Sequence, residues 1–327
     1  MMNRTTLHCL RVGALALAFA TSLAHAGKIE YVGKFASGDS VVAMLYSDSV
    51  MFADAYREKI VKDKLTAGGN GKTWRYMQAK THTPTLARIR YDHVIHGQLQ
   101  HRTYHARSGP AMDVVIRSQN FAPPDGTGLA GTPSSGTESE GSKPYEITDE
   151  DIAADFAERI YYPADTPFNV RVPNLPTAGS DVRSLLNKDG KDINKADAEL
   201  KIFRQIETDI ADGTVAPGGK LTGYVSKVMC ESCGPAADDL ARRFDISGNI
   251  YQLVEPGAEM GATEAAVKES VASSNALKAL RRDYASTHFR VNAVTAPSTT
   301  KVWASTDAVG LFEDAERGAA AGPRCVH

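Results

Sequence analysis

Four residues fall into two short groups whose types and spacing suit metal-assisted proton chemistry. Asp197 and Glu199 flank Ala198 just ahead of an apolar helical repeat, and Cys230 and Cys233 flank Glu231-Ser232 thirty-one residues after Glu199. Two sulfurs three residues apart at a helix start can turn toward one cation, and both the helix dipole and a metal favour the thiolate. Two ligands do not complete a zinc site. Asp197 would supply a carboxylate oxygen as the third, leaving a fourth position for water, whose acidity an open site of this kind raises. Glu199, outside the ligand set, would take that water's proton and pass it on. Blander roles fit the same residues. Acidic groups in a first turn complement the helix dipole. A C-x-x-C pair can be a local disulfide or a periplasmic thiol-disulfide redox centre, although Gly234-Pro235 follows the cysteines rather than separating them and no Trp precedes them. A non-enzymatic secreted interaction module is the third alternative.

The elements that must position these groups can be read on either side of them. Residues 195–210 have the period of a helix, with Leu200, Phe203, Ile206 and Ile210 as its buried stripe. Asp212-Gly213 ends it and Pro217-Gly218-Gly219 follows. Residues 221–229 read as a strand, 233–244 as a helix with Ala236, Leu240 and Phe244 inward and Pro235 in its first turn, and 250–254 as another strand. Helix, strand, helix, strand argues for α/β layering, and the interval between Glu199 and Cys230 holds one helix, one turn and one strand.

In this order and spacing the chain resembles the cytidine-deaminase-like superfamily, in which an [H/C/D]-x-E motif on one helix and C-x-x-C on the next assemble a zinc site over a mixed sheet. More narrowly, Asp197-Ala198-Glu199-Leu200-Lys201-Ile202-Phe203 followed by Cys230-Glu231-Ser232-Cys233 is similar to the deaminase domains of bacterial polymorphic toxins and secreted effectors. The resemblance covers roughly residue 168 to beyond 294. It implies a C-terminal deaminase-like three-layer α/β fold with a mixed sheet. It further implies Zn2+ held by Asp197, Cys230 and Cys233, and Glu199 as the catalytic acid and base. The implied reaction is hydrolytic deamination of a nucleobase in nucleic acid or nucleotide, by a toxin or effector whose partner is an immunity protein. Asp stands where the family more often has His, and Met229 where a Pro often precedes the first Cys.

With 327 residues, two domains are the natural expectation. Residues 1–26 read as a signal peptide: Arg4 and Arg11 open it, an apolar run follows, and Ala24-His25-Ala26 suits cleavage, so the mature chain would be periplasmic or secreted, and delivered into a target cell if it is a toxin. No later stretch is apolar enough to span a membrane. Cleavage removes Cys9 and leaves Cys230, Cys233 and Cys325, which is not the framework of a disulfide-stapled domain.

Residues 27–120 form a basic region, with 14 Lys and Arg against 8 Asp and Glu, whereas 121–327 carry 21 against 31. This front reads as a smaller α+β unit. Strands are expected at 28–32, 40–46, 73–80, 86–99 and 104–117, and a helix at 50–65. His82, His93, His96, His101 and His105 cluster here among Arg88, Arg90, Arg102 and Arg107. They suit a second metal site, a polyanion-binding face with Tyr91 and Tyr104 for stacking, or a half-exposed sheet face whose histidines only hydrogen-bond. A Pro/Gly/Ser-rich linker at 121–146 separates this front from the deaminase-like domain at 147–327. Thr148 should cap a helix with Asp151 three residues on, stopped before Pro163, and 168–172 reads as a short strand. Residues 187–192 fail the register of a calcium loop and read as a polar turn. A helix at 263–284 and short strands at 289–294 and 301–304 close the pattern.

Overall fold

The computed structural model describes residues 27–63, 65, 71–119, 147–190, 194–257, 264–290, 313–315 and 317. Six strands form one mixed sheet: β1 (Ile29–Glu30), β2 (Leu86–Ile95), β3 (Gln98–Arg107), β4 (Asn169–Arg171), β5 (Lys220–Val225) and β6 (Ser247–Gln252). Their order across the sheet is β1-β6-β5-β2-β3-β4. β2 runs antiparallel to both β3 and β5, whereas β1, β6 and β5 run parallel, as do β3 and β4. The α/β class expected from sequence is therefore observed. The division at the linker is corrected: strands from residues 27–120 and from residues 147–327 pair within the same sheet, so the basic front is not a separate α+β unit. The linker itself lies outside the described residues, as do the signal-like segment, Cys9, Cys325 and the strands expected beyond 290 apart from Phe289 and Arg290.

Helices cover both faces. On one side lie α1 (Asp39–Lys62), α2 (Gly71–His82), α3 (Met112–Arg117), α4 (Asp149–Glu158) and α7 (Glu264–His288); on the other lie α5 (Ala198–Ala211) and α6 (Gly234–Phe244). Period-two alternation along the strands divides the core accordingly. Leu86 and Tyr224 join Val41, Leu45, Phe52, Met77 and Leu277, while Ala87, Ile89, Tyr91, Leu221 and Val225 join Leu200, Phe203, Ile206 and Leu240. Each fully buried Leu, Ile or Phe contributes roughly 1.5–3 kcal/mol. None of the described helices is long and apolar enough to cross a membrane.

The expected strands at 40–46 and 73–80 are helices. In α1, Val41, Val42, Met44 and Leu45 are buried together with Phe52, Tyr56 and Ile60, so the first turns sink into the core and β-branched composition is overridden by packing. In α2, Thr73, Trp74, Met77 and Thr81 share a helical face despite an aromatic-rich sequence. The run from 86 to 99 is broken by a hairpin turn in which His96 (φ 52°) and Gly97 (φ 76°) both take left-handed backbone, the geometry that a tight right-twisted hairpin requires. The stretch from 104 to 117 divides into β3 and α3 at Gly109-Pro110. α4 forms as its sequence indicates, with Thr148 and Asp151 in a reciprocal capping box and a 3₁₀ turn carrying the chain to Tyr162.

Candidate metal centre

Asp197 is the N-cap residue of α5, yet its side chain makes no capping hydrogen bond. Its carboxylate turns instead toward the cysteines: Oδ2 lies 2.9 Å from Cys230 Sγ and 3.4 Å from Cys233 Sγ, and the two sulfurs are 3.4 Å apart. The ligand atoms of all three residues lie within 4.8 Å of one another, and this is the group among the described residues that could hold a metal ion. Cys233 is fully buried, while Asp197 and Cys230 are half-buried, so the set opens on one side.

Local structure sets each ligand. Cys230 leads into a 3₁₀ turn, Glu231–Cys233, in which Cys233 N donates to Cys230 O at 3.1 Å and brings the sulfurs together. α6 begins at once, with Pro235 in its first turn. A Cβ on Gly234 would meet the Tyr31 hydroxyl, so a side chain here would require the Tyr31 ring to move aside. Gln252, buried at the end of β6, accepts from Met229 N at 2.8 Å through Oε1 and so fixes the approach to Cys230. On the other side, Gly109 N donates to Ala196 O at 3.0 Å. Lys201 Nζ donates to Arg107 O at 2.9 Å and Gly109 O at 3.1 Å, tying α5 to the end of β3.

Crowding shifts the acids strongly. Burial, then the hydrogen bond that the protonated carboxyl makes to the Cys230 sulfur and the charge on that sulfur, push the Asp197 carboxyl up to about 7. The Cys233 thiol donating to Cys230 brings Cys230 down to about 4, and the same hydrogen bond, with burial, holds Cys233 well above its ordinary range. The three groups thus share protons that a cation would replace. Glu199 is 3% exposed and accepts a hydrogen bond from its own backbone N–H; burial, followed by the charge of Asp197, pushes its carboxyl up to about 8. Burial brings Lys201 down to about 7.

Of the residues picked out from sequence, Asp197, Cys230 and Cys233 converge, and Glu199 lies buried two residues from the first of them. The histidines of the front do not gather into a metal site among the described residues. His105 is fully buried among protein partners and His93 accepts from Ala216 N. Tyr91 and Tyr104 are fully buried against α5, not open to stacking. Sequence reasoning missed Asn194, Ser232, Lys201 and Gln252. Asn194 and Ser232 adjoin the motif residues and could have been flagged by proximity, whereas Gln252 carries no local signal. No protein-family model matches the chain, and comparison with curated proteins and with solved structures gave no match either.

Proposed function

We propose that the protein is a zinc-dependent deaminase that acts hydrolytically on a nucleobase, in nucleic acid or as a nucleotide, and works as an exported toxin or effector. The observation carrying this is the convergence of three ligand atoms within 4.8 Å beside a buried carboxylate that is not one of them. Zinc bound by Asp197, Cys230 and Cys233 would supply the Lewis acidity that makes a water nucleophilic at neutral pH. The remaining work falls to the chain. Glu199 takes a proton at its carboxylate from the attacking water, delivers it to the ring nitrogen beside the amino-bearing carbon, and assists the second transfer with which ammonia leaves. Its site suits this: burial excludes bulk water and raises the carboxyl's affinity for a proton, so that a proton taken from water is held until it passes to the ring. The hold of Lys201 on the end of β3 keeps the helix start, and with it Glu199, in place.

An exported deaminase lacks an ordinary metabolic pool of substrate, so the signal-like residues 1–26 favour delivery to another cell. One feature favours the redox alternative: Cys230 is half-exposed, Cys233 buried, and their sulfurs are close. Thiol exchange would use the Asp197 carboxylate to take the proton of the buried Cys233, so Asp197 fits both readings; the buried Glu199 carboxyl, to which thiol exchange assigns no step, favours deamination. The test compares base changes in DNA and RNA, and ammonia release from free nucleosides, for the mature protein and Glu199→Gln. Activity in the first that is lost in the second is expected; equal activity removes Glu199 from the mechanism, and absence of any deamination alongside Cys230/Cys233 cycling with a dithiol supports the redox role.

A further inference from the structure

We propose that Asn194 and Ser232 form a hydrogen-bond relay that orients and electronically tunes the Cys230 sulfur as a metal ligand; the proposal rests on the triad binding a metal. Asn194 lies in the left-handed region at φ 59°, where Asn is among the few residues tolerated. From there one residue reaches both ligand-bearing segments. Its backbone carbonyl accepts from Asp197 N at 2.9 Å, and its side-chain Nδ2 lies 3.0 Å from Ser232 Oγ and 3.9 Å from Cys230 Sγ. Ser232 Oγ in turn lies 2.8 Å from Cys230 Sγ, and Ser232 is held from behind by Leu185 N, which donates to its carbonyl at 3.0 Å.

The direction of the relay follows from counting hydrogens. A hydroxyl has one, and a ligating thiolate has none. With the Asn194 amide donating to Ser232 Oγ, the hydroxyl hydrogen is left for the sulfur, giving N–H to O–H to S. Each bond in such a chain polarises the next. Among the described residues Cys233 receives no comparable support: the side-chain contacts of its sulfur there are Cys230 and Asp197, both ligands themselves. A hydrogen bond to a thiolate stabilises its lone pairs and lowers the charge it gives the metal, while fixing the sulfur's direction. Asn194 and Ser232 are thus positioning residues, and the two sulfurs are not equivalent ligands.

Cobalt(II), loaded into the metal-free mature protein in place of zinc, reports this without any assay of activity. The thiolate-to-cobalt charge-transfer band of Ser232→Ala should move to longer wavelength, and its cobalt should be lost to a competing chelator at least about tenfold more readily. Asn194→Gly keeps the left-handed backbone and removes only the amide, so it should shift the band the same way by less. Ser232→Thr, which keeps the hydroxyl, should restore the wild-type band; if Ser232→Ala does not fold, the Asn194→Gly and Ser232→Thr pair decides. Cobalt bound by the variants with unchanged band and retention overturns the relay alone. Failure of the wild type to take up cobalt overturns the metal site and the relay with it.

Discussion

The two faces of the sheet each bury a polar cluster, and the clusters differ in where their valences go. On the α1 face, His105 is fully buried with Nδ1 2.9 Å from Asp48 Oδ1 and Nε2 3.1 Å from Asn169 Oδ1, while Arg88 lies 3.6 Å from the same Asp48 oxygen. Both ring nitrogens are taken, and the network fastens α1 to β2, β3 and the edge strand β4. At the rim of the α5/α6 face, Asp197, Cys230 and Cys233 point their donor atoms at one another. Once ionised these atoms are all acceptors, so their closeness is unfavourable unless protons or a cation sit among them. A good ligand type is therefore not enough. His105, of the commoner metal-ligand type, is structural here, and the candidate site is the group whose ionisable donor atoms face one another.

Breaking each cluster should read out differently. The largest effect expected is on catalysis: Glu199→Gln should lower deamination by about 10²–10⁴-fold while zinc is retained, measured as ammonia release at matched metal content. Asp48→Ala should leave zinc content unchanged but cost about 3–5 kcal/mol in urea denaturation, because it removes the buried carboxylate that His105 and Arg88 both face. A smaller, pH-dependent effect should come from Glu158. It accepts from Met112 N at 2.9 Å, and burial, with Asp155 and Asp113 nearby, pushes its carboxyl from 4.5 up to about 8. Below the unfolded value both states carry the proton and its contribution is complete. Between 4.5 and about 8 the unfolded chain releases the proton first, so stability falls as pH rises and levels off above. Glu158→Gln should flatten that slope between pH 5 and pH 8. Least of all, Leu99→Ser on the exposed hairpin should change stability by no more than about 0.5 kcal/mol.

Local signals were legible where one segment decides the outcome. The Thr148 capping box, the Pro235 helix start and the succession from α5 to β6 could be read directly. The helical face of Trp74 and Met77 was also present in the sequence, but aromatic content pointed to a strand, and only packing against α7 decides it. The hairpin at His96-Gly97 was missed because His in left-handed backbone is uncommon. A single sheet across the linker could not be inferred, since β2 pairs with β5 across about 130 residues. The site divides the same way. Asp197, Glu199, Cys230 and Cys233 announce themselves by type and spacing. Gln252, which holds Met229, and the link from Asn194 to Ser232 exist only through long-range contact.

The central claim is that Asp197, Cys230 and Cys233 form one metal site, and native mass spectrometry of the mature protein tests it most directly. One zinc per chain is predicted for the wild type and none for Cys230→Ser or Asp197→Ala, with both variants folded by circular dichroism. A wild type that carries no zinc after purification with zinc supplied, or variants that keep it, would contradict the account.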